Sequence, residues 1–222
     1  MRKSLVIILF LTYHFLSFSQ SNEFMLWTKI GAGGKVAKKL SWAGEFNARM
    51  GRSNVETFFP QVGLEYKLLN WFKPSVEYRY IVDKNKYGNY KSYSRLNFNL
   101  GFKKSINQFG LGLRIRYQYA FNRIGLQSYN PDFDQAFRFK PAIEYRVGKS
   151  IYTPFVSSEF FYDPQYGPYG PGVSKLRLAV GTKLNLKGPH EASVKYQFDK
   201  KFHDYVVGPR HVVAISYTYK IK

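Results

Sequence analysis

Strict alternation of apolar and polar residues is the feature that most constrains how this chain can fold. Residues 109–121 place Phe, Leu, Ile or Tyr at every odd position and Gly, Arg, Gln or Ala at every even position. Successive side chains of a strand point to opposite faces, so this pattern predicts a β-strand. Similar alternation predicts nine more strands, over residues 40–50, 58–68, 72–82, 93–102, 136–147, 152–162, 175–186, 191–199 and 211–221.

The connections between these segments alternate in length. Short turns are predicted near Asn70, Asn107, Gly148 and Gly188. The longer connections are predicted at residues 51–57, 83–92, 122–135, 163–174 and 200–210. Tight periplasmic turns and longer outer loops are typical of transmembrane barrels. We therefore predict an all-β fold, an antiparallel up-and-down transmembrane β-barrel of about ten strands.

Residues 24–31 also have the composition of a strand, but they do not fit this count. An eleventh strand would leave the two termini at opposite ends, whereas single-chain bacterial barrels have even strand numbers. We therefore expect only a short partial strand within an N-terminal segment over 20–39, followed by the barrel over 40–222. A barrel of 12 strands is the alternative.

The abundance of aromatic residues indicates which face of the barrel is apolar. The chain has 20 Phe and 19 Tyr, and its hydropathy resembles that of a soluble protein. A barrel of about ten strands has little interior beyond what side chains fill, so it cannot enclose so many bulky groups. We expect them to face lipid. A β-sandwich with aromatic strands is the alternative fold.

The N-terminus has the features of a signal peptide over residues 1–19. Arg2 and Lys3 precede an apolar stretch that is too short for a comfortable membrane span, and Ser17 and Ser19 offer small residues for cleavage. An anchor helix is the alternative. The chain has no cysteine, which excludes a lipoprotein anchor and thiolate metal sites. The expected location is the bacterial cell outer membrane.

Several short motifs in this order resemble a known family, the uncharacterised outer-membrane barrels catalogued as domain of unknown function 2490. They are Trp27, Glu45-Phe46-Asn47-Ala48-Arg49, Pro60-Gln61-Val62-Gly63-Leu64-Glu65-Tyr66, Glu77-Tyr78-Arg79-Tyr80, Leu113-Arg114-Ile115-Arg116-Tyr117 and Glu159-Phe160-Phe161-Tyr162. The resemblance implies a barrel and an outer-membrane address. It implies no reaction and no catalytic residues.

Charged residues recur on the face that alternation directs into the lumen. They are Glu45, Arg49, Glu65, Glu77, Arg79, Arg95, Arg114, Arg116, Arg138, Glu144, Arg146, Glu159 and Arg177. Carboxylates and guanidinium groups in a narrow space should pair and plug it. The leading interpretation is therefore a non-enzymatic barrel with a narrow or charge-plugged lumen. The excess of arginine over glutamate leaves a small anion-selective pore as the alternative.

Other functions have weaker support in the sequence. An outer-membrane hydrolase would rest on His203 and Asp204 with Asp132 or Asp134, and a surface-binding barrel on the Tyr-, Pro- and Gly-rich residues 162–172. We expect no cofactor and no bound metal. The net charge of +20 is spread over strands and loops, so nucleic acid is not an expected partner. The expected partners are outer-membrane lipid, lipopolysaccharide, the barrel assembly machinery and small anions.

Overall fold

The computed structural model describes residues 23–51, 54–84, 87–123, 126–127, 135–165, 170–202 and 208–221. The predicted signal peptide over 1–19 lies outside these residues. The described residues form twelve strands. They contain no helix long and apolar enough to span a membrane. The strands are β1 (Glu23–Ala37), β2 (Leu40–Met50), β3 (Val55–Tyr66), β4 (Phe72–Lys84), β5 (Tyr90–Ile106), β6 (Phe109–Arg123), β7 (Leu126–Gln127), β8 (Gln135–Tyr145), β9 (Tyr152–Asp163), β10 (Gly172–Asn185), β11 (His190–Lys201) and β12 (Arg210–Ile221).

Eleven long strands close into a barrel. Each pairs antiparallel with its neighbours along the chain, with β6 paired directly to β8, and β1 pairs with β12 to complete the ring. The remaining strand, β7, has two residues and pairs only with the end of β6. This confirms the predicted all-β, antiparallel barrel. The strand number lies between the predicted ten and the alternative of 12.

The first strand is where the structure departs from the prediction. β1 has 15 residues, and it pairs antiparallel with β2 and parallel with β12 along almost its whole length. The alternation fades after Ile30 because Gly31, Gly33 and Gly34 carry no side chains. Backbone pairing needs no side chain, and a Cβ at Gly31 would lie only 2.7 Å from the Gly44 carbonyl oxygen. The expectation of an even strand number with only a partial strand at 24–31 was wrong.

The two ends of the barrel differ. The turn end carries the short connections, which are residues 38–39, 67–71, 107–108, 146–151 and 186–189. Asn107, Gly148 and Gly188 adopt positive φ angles there, as tight turns require. The loop end carries the other connections, of which those between β6 and β8, β9 and β10, and β11 and β12 are longer than any turn. Both β1 and β12 begin at the loop end because they run parallel.

The apolar face of the barrel points outward. Leu64, Phe98, Leu111, Val180 and Ile215 are all more than two-fifths exposed. Among the inward-facing residues, by contrast, Asn97, Gln118 and Gln197 have almost no exposure. The barrel is therefore polar inside and apolar outside, which is the reverse of a soluble domain.

Candidate functional site in the barrel lumen

The inward face encloses one large cavity of about 1710 Å³ along the barrel. Twelve of the thirteen charged residues that the sequence predicts for the lumen line it. The thirteenth, Arg146, does not, which corrects the prediction. β8 ends at Tyr145, and the Arg146 amide donates to the Gln108 carbonyl oxygen across the turn end, leaving its side chain exposed.

One cluster inside the barrel is centred on Glu77 of β4. Arg116 donates from Nη2 to both Glu77 carboxylate oxygens, at 2.8 and 2.9 Å, and Arg79 donates at 3.3 Å. The amides of Asn97 and Asn99 donate to the same carboxylate at 3.3 and 3.1 Å. Neighbouring strands β4, β5 and β6 thus converge on one negative charge, which is fully satisfied.

A second cluster is centred on Glu159 of β9. Arg114 and Arg138 donate to its Oε1 at 2.7 and 3.0 Å, and Arg177 lies 3.6 Å from its Oε2. Arg177 also makes a bidentate pair with Asp199, at 2.8 and 2.7 Å. The predicted set did not include Asp199, although it shares the inward parity of Lys195 and Gln197 on β11.

Both clusters are deeply buried. The side chains of Glu159, Asp199 and Arg116 are only 2%, 4% and 3% exposed. Charges removed from water are tolerated only when each is paired and hydrogen-bonded, so the clusters depend on all their members. They pack the middle of the lumen.

Aromatic rings add to this packing. The Arg49 guanidinium lies 4.3 Å from the Trp27 ring centre and 5.2 Å from that of Phe59. Arg177 also approaches Trp27, at 5.1 Å, and Arg79 approaches Phe59 at 5.1 Å. At these distances the negative ring face attracts a cation. Arg49 is therefore held mainly by rings, and no described carboxylate lies within ion-pairing distance of it.

Apart from Ala120, the inward aromatic and aliphatic residues were not predicted. Phe59, Ile81, Tyr93 and Ala120 form a buried apolar group inside the barrel. Phe161, which is 3% exposed, contacts Arg138, Lys175 and Arg177. The sequence does carry a signal for three of them, because Phe58-Phe59, Tyr80-Ile81 and Phe160-Phe161 are adjacent apolar pairs within strands. Alternation sends one member of each pair inward.

The turn-end half of the lumen is more open. Glu65 and Lys103 are 47% and 57% exposed there, against 2% for Glu159. The ion pairs in this half involve lysine, namely Lys29–Glu45 at 2.8 Å, Lys73–Glu65 at 3.3 Å, Lys103–Glu144 at 2.5 Å and Lys183–Glu144. The predicted Glu45, Glu65 and Glu144 therefore belong to this vestibule and not to the buried clusters.

Several lumen cations have no acidic partner among the described residues. Arg49, Arg95, Lys140 and Lys195 line the cavity without a carboxylate within 4.0 Å. Arg95 donates instead to the Tyr93 hydroxyl at 3.3 Å, and Lys195 donates to Gln197 at 3.2 Å. The cavity therefore carries surplus positive charge, which attracts anions.

The two histidines that the structure describes are each paired with a tyrosine. His190 bonds the Tyr217 hydroxyl at 2.7 Å and His211 bonds that of Tyr196 at 2.5 Å, neither beside a carboxylate. No group of three or more His, Asp or Glu in the described part of the chain could hold a metal ion. His203, on which a hydrolase would rest, lies outside the described residues.

Fold and lumen together define a closed, mostly antiparallel β-barrel with a charge-lined interior. The chain belongs to the family described as "Protein of unknown function (DUF2490)", whose model matches residues 24–204. A solved structure described as "Unveiling the Mechanism Behind the in-meso Crystallization of Membrane Proteins" is similar at a TM-score of 0.37 and 16% identity. The similarity covers 74% of this chain and 66% of that one. None of the curated proteins matches.

Proposed function

We propose that this chain is a non-enzymatic outer-membrane β-barrel whose lumen is narrowed by a charged and aromatic plug. The observation that carries the proposal is the pair of buried clusters around Glu77 and Glu159. Each contact joins strands at most two places apart in the ring, and together the two clusters line the inner wall from β4 round to β11. A lumen packed in this way restricts the passage of solutes.

The outward apolar surface supports the membrane part of the proposal. Strand after strand exposes Leu, Val, Ile, Phe or Tyr, and water would not stabilise so much exposed apolar area. Contact with lipid acyl chains would stabilise this apolar surface. Strands of 11 to 17 residues are also long enough to cross a bilayer.

A small anion-selective pore is the second candidate. The observation that favours it is that the cavity is lined by residues from both ends, including Asn54 at the loop end and Lys73 at the turn end. Arg49 and Arg95 lie on its wall with no described carboxylate beside them. Any water path past them would favour anions.

Conductance in planar bilayers tests the proposal, and Arg49→Ala is the sharpest variant. Arg49 narrows the lumen by contact with Trp27 and Phe59 and leaves no carboxylate unpaired when removed. We expect the wild-type protein to show little or no conductance. Arg49→Ala should raise conductance and lower the preference for anions together.

Arg146→Ala is the matched control, because Arg146 is an exposed arginine outside the lumen. It should leave the current unchanged. Large, unselective wild-type channels would refute the plugged lumen. Small wild-type channels with strong anion preference would favour the second candidate.

A further inference from the structure

Lys140 of β8 and Lys195 of β11 face the same part of the cavity, near the middle of the barrel. In the strand register, the inward positions nearest the line between them carry small side chains, which are Ser157 on β9 and Ala179 and Gly181 on β10, with Phe155 and Glu159 of β9 on either side. Gly181 lies directly opposite Lys195, and a Cβ there would lie 2.5 Å from the Lys195 Cβ. The wall between the two lysine positions therefore has a hollow lined by small side chains.

The carboxylates nearest to this hollow already have partners. Glu159 accepts from Arg114 and Arg138, and Asp199 forms its bidentate pair with Arg177. Because their lone pairs are directed to guanidinium groups, neither lysine has a described carboxylate within ion-pairing distance. Cations that share one confined cavity with the arginines repel, and a bound anion would relieve that repulsion.

The lumen gives access to this hollow from the turn end. The lysines in that half, Lys73, Lys103 and Lys183, are between 43% and 57% exposed. Lys140 lies five residues from the turn-end terminus of β8, roughly 17 Å along the strand at about 3.3 Å per residue. A ligand must therefore travel into the barrel, which suits a soluble anion better than the headgroup of a bilayer lipid.

We propose that Lys140 and Lys195, with the Ser157 hydroxyl between them, bind a small phosphate- or carboxylate-bearing anion that enters from the turn end. The two ammonium groups provide separated positive charges, and the serine provides a neutral donor. The proposal adds a ligand site to the proposed narrow lumen. The ligand site rests on the positive charge of the lumen, so it does not require that ions cross the whole barrel.

Pyrophosphate binding to the folded protein in lipid-free detergent micelles tests the site. Isothermal titration calorimetry should show one pyrophosphate per chain, and the melting temperature should rise with pyrophosphate concentration. The double variant Lys140→Gln/Lys195→Gln should bind at least tenfold more weakly. It should still fold, because it removes repelling charges and no ion pair.

Lys38→Gln/Lys39→Gln is the control, since it removes the same charge from the exposed turn between β1 and β2. It should bind pyrophosphate as the wild type does. Equal affinity in wild type and the lumen variant, or no wild-type binding, would overturn the site. Tighter binding of short-chain phosphatidic acid than of pyrophosphate would overturn the assignment to a soluble anion. None of these outcomes depends on the conductance measurement.

Discussion

At the scale of single residues, ion pairs contribute very differently to the stability of the barrel in different parts of the lumen. Glu159 is almost fully buried and serves three arginines, whereas Glu65 meets Lys73 in the open vestibule. Exposed pairs are worth little because water screens them, while breaking a buried pair leaves uncompensated charge. Location in the barrel therefore decides how much each carboxylate contributes.

Glu159→Gln should be strongly destabilising. It leaves Arg114, Arg138 and Arg177 without their shared carboxylate, and breaking a buried pair typically costs about 3–5 kcal/mol. Equilibrium urea unfolding of protein refolded in lipid vesicles measures the effect. Glu65→Gln is the control and should cost at most about 1 kcal/mol. Similar losses in the two variants would show that the Glu159 cluster does not stabilise the barrel.

At the scale of elements, the parallel contact between β1 and β12 is the unusual feature. It is the only parallel pair among the described strands, and it follows directly from the odd number of strands in the ring. Parallel pairing has evenly spaced but slanted hydrogen bonds and is slightly weaker per residue. Arg210 of β12 reinforces its loop end by pairing with Glu23 of β1 at 2.7 Å.

Engineered disulfides test this closure, because the chain has no cysteine of its own. Thr28 and Ile215 are register partners, so Thr28→Cys/Ile215→Cys should oxidise to an intramolecular bond. Thr28→Cys/Tyr219→Cys should not, since Tyr219 lies opposite Ala32, roughly 13 Å further along. Non-reducing electrophoresis and peptide mass analysis distinguish the two. A bond in the second variant alone would contradict the parallel register.

At the scale of the whole molecule, the barrel has two unlike ends and a lumen that changes character between them. The turn end opens into a lysine-rich vestibule, and the middle carries the arginine–carboxylate clusters. Toward the loop end lies the buried apolar group around Phe59 and Tyr93. In the proposed outer-membrane setting, the turns face the periplasm and the loops face outward. The vestibule would then open toward the periplasm.

Labelling of single cysteines in intact cells tests this orientation. Tyr87→Cys lies in a loop and replaces a side chain that is 76% exposed, so it should react with a membrane-impermeant maleimide. Lys187→Cys lies in an exposed turn at the other end and should react only after the cells are opened. Both should react in detergent. Reaction of Lys187→Cys alone in intact cells would show the reverse orientation.

What the sequence by itself determined is the set of strands, the faces they present and most of the lumen charges. Alternation is a local property, so it located β2 to its terminal residues and assigned Glu77, Glu159 and Arg177 inward without any partner. The tertiary structure decided the rest, because it depends on which strands meet. Arg114 and Glu159 are 45 residues apart in the chain, and only the pairing of β6 and β9 with β8 between them brings them together. The tertiary structure also decided the extent of β1. Its glycines interrupt the alternating pattern, but its backbone still pairs with β2 on one side and β12 on the other.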